Sequence, residues 1–300
     1  MPDDTITAAA SGTWTLGDRT VRRMGFGSMR LTLNPDPEPA IRVLRRAVDL
    51  GVNHIDTAAF YRSPGGTLGA GTGEARWATD LIRRALAPYP DDLVITTKVG
   101  PGENPDGSFG QASTPGQLRT QVEENLRRLG RDHLDVVNLR IIRSKTGDDS
   151  IAERFGALAD MRREGLIRHL GLSNVRVDHL DEAWDVAPVV CVQNSFGLDN
   201  REVSTEVLPA CGERGIAFVP FFAIAGAGRE GGESGEHSDA LRTVADAHGA
   251  TPQQVRLAWT LHQGEHVLAI PGTGSVAHLE QNVAAGAIRL SAADLELLDA

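Results

Sequence analysis

The chain has 300 residues, of which 41% are hydrophobic and 23% are charged, and its formal net charge is -10. This composition is ordinary for a folded globular protein, and the length suits one large domain or two small ones. An acidic surface repels nucleic-acid phosphates and anionic lipid, so we expect neither nucleic acid nor a membrane as a partner.

The predicted elements alternate between short apolar strands and longer helices. An alternating stretch around Gly17-Asp18 predicts a β-hairpin over residues 14–21, placed to plug the bottom of a barrel. Eight strands are predicted at 23–27, 53–56, 93–98, 135–140, 169–172, 189–193, 217–220 and 267–270. Apolar residues at helical spacing predict helices over 38–50, 116–129, 151–164, 177–186, 202–214 and 238–248.

Eight strand–helix repeats favour an α/β fold, a (β/α)8 TIM barrel, over a doubly wound sheet. The glycines at 25 and 27 do not complete the G-x-G-x-x-G pattern of the doubly wound rival. We predict one barrel domain over residues 14–300, with the hairpin at its start. The glycine-rich stretches 63–73 and 225–235 follow predicted strands, so each is either a plain loop or part of a site at the C-terminal face.

The N-terminus and the cysteines indicate the compartment. Residues 1–13 are acidic and rich in small residues, and they lack the basic and apolar parts of a signal peptide. We predict a disordered tail there. Cys191 and Cys211 are the two cysteines, and nothing suggests a disulfide framework. A reducing compartment fits, and we expect a cytoplasmic protein.

Three functional side chains stand at or just after predicted strand ends: Asp56, Tyr61 and Lys98. Each alone is more typical of a cap or a surface group, but together they form a coherent acid–base set. A neighbouring ammonium lowers the pKa of a tyrosine hydroxyl, which is otherwise a sluggish acid at neutral pH. A carboxylate would hold the lysine charged and in place. Such a tyrosine can protonate a carbonyl oxygen as hydride reaches the carbon.

These residues carry a family resemblance. Residues 51–61, which read Gly-Val-Asn-His-Ile-Asp-Thr-Ala-Ala-Phe-Tyr, resemble the aldo-keto reductase signature, and Thr96-Thr97-Lys98 resembles the family's lysine strand. Residues 171–174, 192–194 and 270–282 are similar to its nicotinamide and adenosine-phosphate segments. Within the family, residues 134–140 and 219–222 are most similar to the bacterial pyridoxal reductase group.

The resemblance implies an oxidoreductase that uses NADPH, with NADH as an alternative, to reduce the carbonyl of a small-molecule aldehyde or ketone. It implies a monomer or a small homo-oligomer and no metal. Catalytic roles fall to Asp56, Tyr61, Lys98 and Arg140. Substrate contacts are expected from Met29 and Phe222, and Trp77 either lines the substrate pocket as well or packs against the following helix. Cofactor contacts are expected from Gly27, Ser173, Asn174, Gln193, Phe221, Ile224, Ile270, Gly272, Thr273, Ser275, His278, Gln281 and Asn282.

Three departures from the family pattern bear on specificity. Arg140 stands where the family usually has a histidine, and a guanidinium can hold a carbonyl oxygen or an anionic group with two hydrogen bonds. His278 stands where an arginine often contacts the 2′-phosphate of NADPH, and a neutral imidazole is a weaker anchor. The loop 63–76 is longer than its counterpart in the pyridoxal reductases.

These departures leave alternatives open. The substrate is pyridoxal-like or a different, specialised metabolite. A second hypothesis is an atypical enzyme of the same fold that acts on another unsaturated system or without net redox change. A third is a cofactor-binding regulatory subunit, against which the intact set of Asp56, Tyr61 and Lys98 argues.

Overall fold

A computed structural model describes residues 6–65, 70–103, 109–142, 149–224 and 237–299. Its strands are β1 (Thr13–Leu16), β2 (Arg19–Arg22), β3 (Phe26–Gly27), β4 (His54–Asp56), β5 (Arg62–Ser63), β6 (Arg76–Trp77), β7 (Val94–Val99), β8 (Pro101–Glu103), β9 (Phe109–Gln111), β10 (Leu134–Arg140), β11 (Ile167–Ser173), β12 (Val189–Gln193) and β13 (Ala217–Phe218). The predicted loop site at 225–235 lies outside the described residues, as do positions 66–69 of the loop 63–73.

The α-helices are α1 (Glu38–Asp49), α2 (Ala78–Leu86), α3 (Pro115–Leu129), α4 (Ala152–Arg163), α5 (Val177–Val186), α6 (Val207–Glu213), α7 (Asp239–Ala247), α8 (Pro252–His262), α9 (Val276–Ala284) and α10 (Ala292–Asp299). Short 3-10 helices span Ala8–Ser11, Met29–Thr32, Glu202–Ser204 and Ala285–Ala287. Among the described helices, none combines the length and the apolar character that crossing a membrane requires.

Seven parallel strands follow one another around the sheet in chain order: β3, β4, β7, β10, β11, β12 and β13. Residues 267–269 join its two edges. Val267 bridges Phe218 and Ala269 bridges Met24, both in the parallel sense. Backbone amides of Leu268 and Ala269 donate to the two edges at 2.9 and 2.8 Å. The eighth predicted strand therefore closes the sheet, and the predicted (β/α)8 barrel is confirmed.

Alternation along the strands separates two cores. Outward residues such as Ile55 and Ile95 pack in the large core beneath the helices. Inward residues form a smaller core with the hairpin, made of Leu16, Val21, Val94, Val136, Cys191, Ala217, Val219 and Leu268. Because Leu16 and Val21 come from β1 and β2, the hairpin fills the N-terminal end of the barrel. Inward residues nearer the strand ends are therefore left for the opposite, C-terminal face.

Two predictions need correction. The disordered tail predicted over residues 1–13 is wrong for Ala8–Ser11, which form a 3-10 helix. The Ser11 hydroxyl accepts from the Met24 amide at 2.9 Å, which ties this segment to the start of the barrel. The single helix predicted over 202–214 is a 3-10 turn followed by α6. Pro209 explains the break, because proline lacks the amide that would bond the preceding turn.

Candidate active site

Asp56, Lys98 and Tyr61 converge at the C-terminal face of the barrel. Lys98 Nζ donates to Asp56 Oδ2 at 2.5 Å and to the Tyr61 hydroxyl at 3.0 Å. A third bond runs from Nζ to the Thr57 carbonyl at 3.0 Å. Asp56 ends β4 and Lys98 lies in the neighbouring β7, so parallel pairing brings their inward side chains together. The sequence prediction of one contiguous set therefore agrees with the geometry.

Burial of the two charged groups Lys98 and Asp56 is unfavourable unless each charge has a partner. Lys98 and Asp56 are each only 2% exposed, and two isolated charges would not be tolerated there. Asp56 meets its second partner in Gln193, whose Nε2 donates to Oδ1 at 2.7 Å. Burial by itself lowers the pKa of Lys98, but the carboxylate of Asp56 and the oxygen of Tyr61 reverse this effect and raise that pKa. The lysine is therefore held in its charged form.

The pKa of Tyr61 departs from the expected direction. The charge of Lys98 by itself lowers this pKa, as the sequence predicts. Burial of the hydroxyl raises the pKa of Tyr61 more than the Lys98 charge lowers it, so the pKa lies above its ordinary value. The correction has a simple cause, because removing water penalises the tyrosinate. The hydroxyl therefore stays protonated at neutral pH and is available as a proton donor.

The predicted site residues largely share one cavity of about 730 Å³. The predicted catalytic residues Asp56, Tyr61, Lys98 and Arg140 line it, together with Met29 and Phe222 on the predicted substrate side. Of the predicted cofactor residues, those lining it are Gly27, Phe221, Ile224, Ile270, Gly272, Thr273, Ser275, His278, Gln281 and Asn282.

Three predicted nicotinamide partners lie one layer behind the cavity. Ser173 and Gln193 are fully buried, and Asn174 adopts a left-handed backbone with φ 62°. None of the three is a lining residue. Ser173 accepts from Arg140 Nη1 at 3.1 Å, and Gln193 contacts Asp56. The Oε1 atom of Gln193 is buried and has no hydrogen-bond partner among the described residues.

Trp77 does not take the position expected of a substrate contact. It is not among the lining residues of the cavity. It lies in β6, and the Arg128 guanidinium carbon sits 3.7 Å from its ring centroid. The ring thus packs against the helix that follows β9 in the chain, α3, rather than facing the site.

The segment after the closing strand approaches the end of β3 closely. A Cβ on Gly27 would lie 2.6 Å from the Ile270 carbonyl oxygen, and one on Gly272 would lie 2.5 Å from the Gly27 oxygen. Only glycine permits this contact. Beyond it, Ser275 caps α9 by accepting from the His278 amide at 3.4 Å. The open N-terminus of α9 at the cavity suits a phosphate group.

Among the described residues, the polar lining residues Arg30 and Gln253 were not predicted from the sequence. Arg30 follows β3 on the C-terminal face, so the rule that barrel sites gather there would have identified it. Gln253 is the second residue of α8, and the only signal near it in the sequence is the helix cap formed by Thr251. Nothing in its neighbourhood of the sequence links it to the site.

Comparisons with known proteins agree with this geometry. Residues 23–300 match the model of the aldo/keto reductase family. The chain is 42% identical over 299 residues to pyridoxine 4-dehydrogenase of Escherichia coli, covering 97% of this chain and 98% of that protein. An uncharacterized oxidoreductase of Schizosaccharomyces pombe is 37% identical, covering 98% of this chain and 91% of that one.

A solved structure gives the same result. The aldo/keto reductase of Klebsiella pneumoniae in complex with NADP and acetate superposes with a TM-score of 0.77 at 28% identity, covering 96% of this chain and 94% of that one. With the family match spanning nearly the whole chain, the protein belongs to the aldo/keto reductase family and is an oxidoreductase.

Proposed function

We propose that the chain is an NADPH-dependent reductase that converts an aldehyde or ketone to an alcohol. The observation that carries the proposal is Lys98 Nζ placed between Asp56 and the Tyr61 hydroxyl, at 2.5 and 3.0 Å, in one cavity with residues 270–275. The NADP complex of the similar Klebsiella pneumoniae enzyme supports the choice of cofactor.

The residues fit such a cofactor. The cavity lining brings Phe221, residues 270–275 and the start of α9 together. Phe221 offers a ring for stacking, and the N-terminus of α9 with Ser275 and His278 suits the adenosine phosphate. Arg30 adds a permanent positive charge to the same cavity. When bound, NADPH supplies the hydride.

The chain's own groups supply the proton. The Tyr61 hydroxyl donates to the carbonyl oxygen as the carbon is reduced, and Lys98 stabilises the tyrosinate that remains. Asp56 holds Lys98 in place. Arg140, with its guanidinium carbon 4.6 Å from the Phe221 ring centroid, orients the substrate oxygen. We propose a pyridoxal-like compound as substrate, on the likeness to pyridoxine 4-dehydrogenase, with a different, specialised metabolite as the alternative.

The test is oxidation of NADPH with a panel of carbonyl compounds that includes pyridoxal, repeated with NADH. Turnover of carbonyls at the expense of NADPH supports the proposal. Because Arg140 replaces the family's usual histidine, an enzyme acting on another unsaturated system or without net redox change is the second candidate. Formation of product without consumption of NADPH would favour that candidate.

The role of Tyr61 has its own prediction. Tyr61→Phe should bind NADPH as the parent does and lose turnover by about 10²–10⁴-fold, since it removes the proton donor. The matched control is Tyr89→Phe, which alters the only other tyrosine of the chain. Tyr89 donates to the Leu129 carbonyl at 2.7 Å, away from the cavity. Steady-state kinetics in which Tyr61→Phe equals the parent would reject the assignment.

A further inference from the structure

The long loop after Tyr61 is closed at its base by a two-stranded ladder. In it, β5 pairs with β6 in antiparallel register, with Arg62 opposite Trp77 and Ser63 opposite Arg76. The ladder continues toward the site, because the Ala78 amide donates to the Tyr61 carbonyl at 2.9 Å. The backbone of the candidate proton donor is thus part of this small sheet.

One side chain ties the loop to a different part of the barrel rim. Arg76 donates through Nε and Nη2 to the Thr32 carbonyl at 3.2 and 2.9 Å. Its Nη1 donates to the carbonyls of Thr72 and Glu74 at 3.0 and 2.8 Å. A guanidinium suits this task because its donors form a rigid planar fork. Lysine carries a single ammonium and cannot reproduce the arrangement.

The acceptor matters because of where it lies. Thr32 ends the 3-10 helix Met29–Thr32, and the last carbonyls of a helix lack partners within it. Thr32 and Ser63 are fully buried, and their hydroxyls share a hydrogen bond of 2.9 Å. The same short helix presents Met29 and Arg30 to the cavity. The loop and this part of the cavity wall are therefore fastened together.

The other strand of the ladder is anchored separately. Trp77 packs against the guanidinium of Arg128 in α3, which is itself bound to Glu124 at 2.8 Å and Asp80 at 2.7 Å. The ladder is thus held from two sides, at the rim and at α3. Two contacts of the ladder with the rim, those made by Arg76 and Ser63, reach Thr32 in the short helix that lines the cavity.

We propose that Arg76 is a positioning residue that sets substrate selectivity by fixing Met29 and Arg30 relative to Tyr61. The inference rests on the proposed carbonyl reductase function. A bulky substrate would fill the cavity and contact the wall formed by Met29 and Arg30, whereas a small substrate would not. We call the hydrogen bonds from Arg76 to the Thr32 carbonyl the clamp. Loss of the clamp should weaken the binding of bulky substrates while the chemical step is preserved.

The experiment compares Arg76→Gln with the parent on a bulky aromatic and a small aliphatic aldehyde. We expect KM for the bulky aldehyde to rise about tenfold, because hydrogen bonds from a charged group are lost. KM for the small aldehyde and both kcat values should change less than about twofold. Arg76→Lys should recover only part of the loss. Ser63→Ala, a milder change, should shift KM in the same direction.

The chain offers a matched control in Arg289, which also donates to three backbone carbonyls. Its acceptors are Gly286 at 2.8 Å, Ile288 at 3.2 Å and Ala10 at 2.7 Å, and it does not line the cavity. Arg289→Gln should leave the selectivity between the two aldehydes unchanged. Equal loss of kcat on both aldehydes with unchanged KM in Arg76→Gln would indicate a purely structural role and overturn the proposal.

A second readout does not depend on activity. Hydrogen exchange of the amides at residues 29–33 should speed up in Arg76→Gln and stay at the parent rate in Arg289→Gln. If the parent reduces no carbonyl, the proposed function fails, and exchange still tests the clamp. Equal exchange in Arg76→Gln and the parent would overturn it.

Discussion

The Asp56 carboxylate has two hydrogen-bond partners in the site, and each partner binds a different oxygen. Its Oδ2 accepts from Lys98 and its Oδ1 from Gln193. A buried ion pair adds little net stability over apolar packing, since desolvation offsets the attraction. Its arrangement here is better explained by what it holds in place, an ammonium at hydrogen-bond distance from the Tyr61 hydroxyl.

Asp56→Asn should therefore destabilise the protein as well as impair turnover. Removing one partner of a buried pair costs about 3–5 kcal/mol, because the Lys98 charge stays buried without compensation. Urea denaturation measures the loss. The control is Asp181→Asn, which breaks an ion pair with Arg214 in which Asp181 is 56% exposed, and it should cost no more than about 1 kcal/mol. Equal effects in the two variants would contradict this account.

His54 makes the stability of the folded protein depend on pH. Burial lowers the pKa of His54 from 6.5 to about 4. Since the folded protein binds this proton less readily than the unfolded chain, stability is full above pH 6.5 and falls as the pH drops toward 4. The total loss is about 3 kcal/mol at 1.36 kcal/mol per pH unit.

His54→Gln keeps a neutral polar group beside the Thr96 hydroxyl, which contacts the histidine ring at 3.1 Å. This variant should lose stability less steeply between pH 6.5 and pH 4. Denaturation midpoints measured across that range are the readout. Identical slopes for the parent and the variant would show that His54 does not titrate as described.

At the scale of elements, the seam between β3 and residues 267–272 depends on two glycines. Gly27→Ala and Gly272→Ala would each force a Cβ against a backbone oxygen, at 2.6 and 2.5 Å. Backbone cannot yield as a flexible side chain does. We expect both variants to lower the thermal midpoint and to weaken NADPH binding, because the seam borders the cavity.

Gly274→Ala is the matched control in the same segment. A Cβ at Gly274 meets no heavy atom within 4 Å, and its backbone needs no left-handed φ. Its thermal midpoint should match or slightly exceed the parent value, since alanine restricts the unfolded chain. A midpoint for Gly27→Ala as high as that for Gly274→Ala would refute the steric argument.

At the scale of the whole molecule, the N-terminal 3-10 helix and the hairpin fasten the end of the barrel opposite the site. The Ala8 amide donates to the Leu50 carbonyl at 2.9 Å, and Arg289 bonds Ala10. Deletion of residues 2–12 should cost about 2–4 kcal/mol, because the buried Met24 amide also loses its acceptor.

The same deletion should leave kcat and KM unchanged at 25 °C, since residues 6–12, the part of the deleted segment that the structure describes, do not line the cavity. Urea denaturation and steady-state kinetics on one preparation check both halves. A deletion variant with parental stability would show that the segment's contacts contribute nothing. A large fall in kcat without loss of stability would contradict the expectation that this end of the barrel contributes to stability and not to catalysis.

The sequence by itself determined the barrel and the set of ionisable side chains that meet at its C-terminal face. Periodicity located the strands, and parallel strands place their ends on one face, so Asp56 and Lys98 had to meet near Tyr61. Family motifs then identified the cofactor side. These features are local in the chain or follow from topology, which is why patterns along the sequence reveal them.

Only the tertiary structure decided how side chains meet partners distant in sequence. It turned Trp77 toward Arg128 and brought Gln253 to the cavity. It also placed Arg76 on the carbonyl of Thr32. A backbone carbonyl has no sequence signature as an acceptor, and the burial that raises the pKa of Tyr61 is a property of everything packed around it.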